Sequence, residues 1–194
     1  VKINYYLAVR HFIQKIDKNH GFNVGDREKA YSLLVFIASS IIIMIKYRDK
    51  TDYYALSILM SYLVIVSIID SQTKLVYRFI NYIMMIIGSI YIITMNESAL
   101  YFIYLIMFGL FVFFLVKIRG FGAGDGYFFF ITGMFLINKS KIIPLMLPML
   151  NIIISSLIFI FIYRNKFDWK TRKMKEMIAF TPSISISTFI LLLI

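Results

Sequence analysis

An all-α, polytopic membrane helix bundle is the fold class this sequence predicts, and three observations carry the prediction. Of 194 residues, 60% are apolar and only 16% are charged, against roughly 45–50% and about 25% in soluble chains. Apolar runs near the length of a membrane span recur along the chain, and the basic residues fall between them. Cysteine is absent, which removes disulfides, thiolate metal sites and a cysteine nucleophile. The expected bundle has about seven transmembrane helices, with six as the rival count, plus an N-terminal interfacial helix. The net charge of +11 is read as loops held against anionic lipid, so membrane lipids are expected partners and nucleic acid is not.

Residues 1–30 read as a cytoplasmic or interfacial amphipathic segment, because Tyr6, Val9, Phe12, Ile13 and Ile16 share one helical face. His11 and His20 lie here without an acidic cluster beside them, so no metal site is expected. Residues 31–194 read as the membrane-embedded domain, with spans at 31–45, 53–69, 76–94, 99–116, 127–137, 142–162 and 177–194. The fifth is too short to cross a hydrocarbon core of about 30 Å unless it borrows from the glycine-rich run before it. In the sixth, Pro144 and Pro148 are potential kinks, and Gly88 and Gly109 are potential sites of close helix contact.

Orientation follows from Lys and Arg. With the N-terminus inside, only Lys46, Arg48, Lys50, Lys139 and Lys141 of the 21 basic residues face outward. The stretch 164–175, with six basic residues around Trp169, then reads as a cytoplasmic loop on the membrane surface.

Two acidic residues stand at span ends on the cytoplasmic side. Asp70 closes the second apolar run and Asp125 lies in Gly122-Ala123-Gly124-Asp125-Gly126 just before the fifth. Two intervening spans return the chain to the same side, so both carboxylates lie at one depth. A carboxylate at a membrane boundary is costly enough to be a functional hypothesis by default. Four of the nine glycines fall within residues 120–126, more than a capping turn needs, and glycine permits positive φ and close backbone approach. Two neighbouring carboxylates can share one proton. One can then activate water while the other protonates a peptide carbonyl, with no metal, cofactor, thiol or histidine. Helix ends suggest Asp125, before a helix, as base and Asp70, after one, as acid.

These residues resemble the GxGD-type intramembrane aspartyl proteases, and within them the type IV prepilin peptidases, over roughly residues 53–190. Gly122 to Gly126 resembles the family's second catalytic motif, Asp70 with Thr73 its first, and Phe180-Thr181-Pro182 its proline-containing stretch at the start of the last span. The resemblance implies a catalytic pair Asp70 and Asp125, supported by Gly122, Gly124, Gly126, Thr73 and Pro182. It also implies a prepilin-like substrate with a short basic leader and an apolar helix, cut at the cytoplasmic boundary of the inner or plasma membrane. Val76-Tyr77-Arg78 stands where the family commonly has Pro-Asn, and Tyr127 replaces a frequent lysine. The cysteine-rich region that accompanies N-methylation in larger members has no counterpart here, which implies a peptidase without methyltransferase. Presenilin-type members, with aspartates on adjacent spans and a Pro-Ala-Leu tripeptide, fit less well. The rival class is a non-catalytic membrane subunit or small proton- or cation-linked transporter using Asp70 and Asp125. Asn151, Ser155, Ser156, Ser183, Ser185 and Ser187 would line its pathway, although small polar residues within spans more often pack helices.

Overall fold

The computed structural model describes residues 37–39, 41–47, 50–73, 78–95, 100–118, 121–139, 143–164, 167–168, 173–174 and 179–193. The expected amphipathic helix at the N-terminus, with His11 and His20, lies outside these residues, as does Trp169. Among the described residues the helices are α1 (Ile37–Lys46, with residue 40 outside the described set), α2 (Lys50–Thr73), α3 (Arg78–Met95), α4 (Leu100–Lys117), α5 (Ala123–Leu136), α6 (Met146–Tyr163) and α7 (Thr181–Leu193). A 3₁₀ turn, Ile137–Lys139, extends α5. The chain is therefore an all-α membrane helix bundle. Four helices, α2, α3, α4 and α6, are long and apolar enough to cross a membrane. One departure from helices is a small antiparallel pair, β1 (Phe167–Asp168) with β2 (Lys173–Met174), within the basic stretch.

Helix α5 sits at the centre, packed against α2, α3, α4, α6 and α7. It is apolar nearly all round, and Phe128, Phe129, Ile131, Met134, Phe135 and Leu136 are all buried, as expected of a helix with no solvent face. Its 14 residues span about 21 Å. The helix does draw on the glycine run, starting at Ala123 and taking Gly124, Asp125 and Gly126 into its first turn.

Glycines set the closeness of the packing. A Cβ on Gly88 of α3 would stand 3.0 Å from Met134 Sδ, and one on Gly109 of α4 would stand 2.9 Å from Phe130 Cε2. On α5 itself, a Cβ on Gly133 would collide with the Phe108 ring. Pro144 and Pro148 do not kink α6. Pro144 lies in the turn before it and Pro148 in its first turn, where a missing N–H leaves no carbonyl unpaired.

Polar side chains tie the helices together inside. The Asn151 amide donates to Thr132 Oγ1 at 3.0 Å and Thr188 Oγ1 at 3.2 Å, joining α5, α6 and α7, and Ser187 Oγ donates to the Asn151 carbonyl at 3.2 Å. Ser67 and Ser185 meet at 2.6 Å between α2 and α7. Such interhelical bonds contribute roughly 0.6–2 kcal/mol each, and here they account for Asn151, Ser185 and Ser187 as packing contacts.

The two ends of the bundle differ. At one end Lys139 pairs with Asp52 at 2.5 Å, Tyr91 donates to the same carboxylate at 2.7 Å, and the Lys46 ammonium donates to the Leu192 carbonyl at 2.9 Å. Asp70 lies 18 residues beyond Asp52 on α2, about 27 Å away along the axis. It therefore marks the opposite end.

Candidate active site

Asp70 sits in the last turn of α2 and is buried, with only 6% of its surface exposed. A carboxyl there needs a donor. It receives one from a distant part of the chain, because the backbone N–H of Thr181 donates to Asp70 Oδ2 at 3.1 Å. Thr181 opens α7, and the next residue is Pro182. Proline has no N–H to offer, and the Ser183 N–H turns back to the Phe180 carbonyl at 3.0 Å. The Thr181 N–H is thereby left to reach outward, and Asp70 caps the positive end of α7.

Asp125 lies in the first turn of α5, outside the four apolar spans. Its Oδ2 accepts the Gly122 N–H at 3.2 Å, so the carboxylate folds back over its own helix start. Gly122 is extended, with φ −67° and ψ 153°, and no left-handed backbone is involved. Close approach is what the position requires, since a Cβ there would stand 3.1 Å from Asp125 Oδ2. Gly126 is buried against α4, where a Cβ would come within 2.7 Å of Val116 Cγ2. Gly124 lies half-buried between them.

Burial, joined by the negative charge of Asp70 and opposed by the Gly122 N–H, raises the Asp125 carboxyl to about 6. The two aspartates are thus within electrostatic reach of each other. Each also meets a helix N-terminus. The expected division of labour rested on Asp70 facing only the C-terminal end of its own helix, and the contact with Thr181 removes that ground.

Four phenylalanines join the two halves of the site. Phe121, next to Gly122, lies 5.5 Å from Phe180, next to Thr181, measured between ring centroids. Phe129 lies 5.0 Å from Phe121, and Phe159 lies 4.7 Å from Phe180. The residues carrying the two N–H donors are therefore clamped by neighbouring aromatic packing. The sequence motif included Phe180 and Thr181 beside Pro182, but nothing in it singled out Phe121, Phe129 and Phe159 as packing partners or the Thr181 N–H as a donor. Of the expected supporting residues, Pro182 lies in the first turn of α7 and is half-buried, and Thr73 closes α2, its side chain lying outside the described set.

A cleft of about 430 Å³ opens elsewhere, between α3, α4 and α5. Ala123, Gly126, Tyr127 and Phe130 line it, and this spacing is one face of a helix. Asp125 falls on the other face, and neither aspartate lines the cleft. Among the described residues no group of His, Asp and Glu is arranged to hold a metal ion.

Neither a curated protein nor a solved structure matches the chain. One family does, and it matches residues 57–164, more than half of the sequence, from α2 through α6 with both aspartates inside the matched stretch. On that match, the chain belongs to the Type IV leader peptidase family.

Proposed function

We propose that this leader peptidase hydrolyses its substrate with Asp70 and Asp125 as a proton-sharing pair. The observation that carries the reading is that the N–H donors to the two carboxylates, Thr181 and Gly122, adjoin Phe180 and Phe121, whose rings pack 5.5 Å apart, and that the charge of Asp70 raises Asp125 there. Membership of the family makes the chain an aspartic-type endopeptidase of prepilin-like leaders. The residues, their roles and the orientation are our assignment.

In this reading Asp70, held as an acceptor by the Thr181 N–H, is the base. It takes a proton from water as the water oxygen bonds to the scissile carbonyl carbon. Asp125, whose proton is retained to about pH 6, donates to the carbonyl oxygen. The tetrahedral intermediate then collapses. Its hydroxyl returns a proton to Asp125, Asp70 passes its proton to the amine, and the C–N bond breaks. This reverses the assignment drawn from helix ends alone.

The basic loops support a cytoplasmic dyad, with residues 31–194 embedded as about seven membrane helices and residues 1–30 on the cytoplasmic surface. Helices α1 and α7 and the part of α5 beyond Gly126, each shorter than a full span, complete that count in company with their longer neighbours. A substrate with a basic leader in the cytoplasm and an apolar helix in the membrane presents its junction at this depth. The test is cleavage of a pilin-type precursor by purified protein in lipid bilayers, read by mass spectrometry. The native chain is expected to cut at the leader junction, and Asp70→Asn and Asp125→Asn to be folded and inactive. Cleavage by either variant at the native rate contradicts the pair.

The transporter reading places acidic residues near the bilayer midplane. Here they stand at helix ends, and Asn151, Ser185 and Ser187 are engaged in helix packing.

A further inference from the structure

Hydroxyls buried in this bundle generally return to a neighbouring carbonyl or side chain. Thr132 donates to the Phe128 carbonyl at 2.9 Å, Thr188 to the Ile184 carbonyl at 2.8 Å and Ser155 to the Ile152 carbonyl at 3.0 Å. Three hydroxyls among the described residues do not, Ser57 Oγ, Ser183 Oγ and Thr181 Oγ1, and of these Thr181 Oγ1 belongs to the residue whose N–H binds Asp70. Thr181 is fully buried, and its Oγ1 has no hydrogen-bond partner among the described residues. A buried hydroxyl left unpaired destabilises a fold and calls for an explanation. Valine has the same shape and would avoid the penalty.

The place of this hydroxyl suggests its use. The Thr181 N–H is 3.1 Å from Asp70 Oδ2. Covalent geometry keeps Oγ1 of the same residue within about 7 Å of that carboxylate oxygen in any rotamer. A single water bridges two oxygens that stand no more than about 5.5 Å apart, a separation that lies inside this range. A hydroxyl both donates and accepts, so it can hold a water by a lone pair while Asp70 accepts the proton. The aromatic neighbour Phe180, packed on Phe121 and Phe159, fixes the turn from which it projects.

We propose that the Thr181 hydroxyl orients the attacking water beside Asp70, making Thr181 a positioning residue of this peptidase. The inference rests on the reading of Asp70 as base. It concerns the hydroxyl alone, because the backbone N–H survives every substitution except proline.

The test compares native protein, Thr181→Val, Thr181→Ser and Asp70→Asn on a pilin-type precursor in bilayers, with thermal midpoints measured on each. Thr181→Val is expected to lower kcat about tenfold, the effect of one lost hydrogen bond. KM should stay within about twofold and the thermal midpoint should be unchanged or raised. Thr181→Ser should recover most of the activity. A native kcat in Thr181→Val overturns the inference alone, as does a loss that serine fails to restore or that comes with a lowered midpoint, since those belong to packing. Cleavage by Asp70→Asn overturns the dyad and this inference with it.

Discussion

Burial and the charge of Asp70 both hold Asp125 up near 6, and this gives the pH dependence of cleavage a defined sign. With Asp125 as the acid, kcat/KM falls as pH rises through about 6, because the proton it must donate is lost. A profile that instead climbs through that range would make Asp125 the base. Gly126 offers a steric test at the same place. A Cβ there meets Val116 at 2.7 Å, so Gly126→Val forces α5 off α4 and should cut activity at least about tenfold, with destabilisation of about 1–3 kcal/mol from overpacking. Asp70 and Asp125 were legible in the sequence because a carboxylate at a span boundary is costly wherever it occurs. Their partners were not. The donors to the two carboxylates are backbone N–H groups of Thr181 and Gly122, and every residue but proline carries such a group.

Helix α2 carries an acidic residue at each end with opposite surroundings. Asp52 is paired with Lys139 and Tyr91, and Asp70 meets the start of α7. The first of these is a clasp. Lys139 and Asp52 are only 10% and 14% exposed, and removing one partner of a buried pair costs about 3–5 kcal/mol. Lys139→Met is therefore expected to lower the thermal midpoint markedly in detergent, with cleavage retained below the transition because Asp70, of the proposed pair, is at the far end of α2. Loss of cleavage in protein that is still folded would tie the clasp to the chemistry. The shortness of α5 could be read from the run lengths, and its use of the glycine run followed from the need for more residues. Its central place could not, because a short apolar run looks alike whether neighbours or lipid cover it. The prolines of α6 misled for a similar reason. A proline marks a helix start or a kink equally well, and only the observed start at Met146 decides between them.

For the whole molecule, the alternation of basic stretches predicts which residues share an end. The structure gathers Lys46 and Lys139, both expected outside, with Asp52 and Leu192 at the end remote from Asp70. What hydropathy supplies is the alternation of sides. It does not supply the order of packing, which comes from fits such as Gly133 on Phe108. The cysteine-free chain makes orientation directly measurable. A single Ile118→Cys should react with a membrane-impermeant thiol reagent only from the cytoplasmic side, and Met95→Cys only from the other. The reverse pattern would place the dyad outside. The claim on which all of this depends is that Asp70 and Asp125 act as one pair. The most direct measurement is the carboxyl titration of isotope-labelled Asp125 by infrared spectroscopy in bilayers, in native protein and in Asp70→Asn. The native midpoint should fall near 6. In the variant it should drop toward the ordinary carboxylate value without reaching it, because burial, the larger cause, remains. An Asp125 midpoint unmoved by Asp70→Asn would mean that the two carboxylates do not act together.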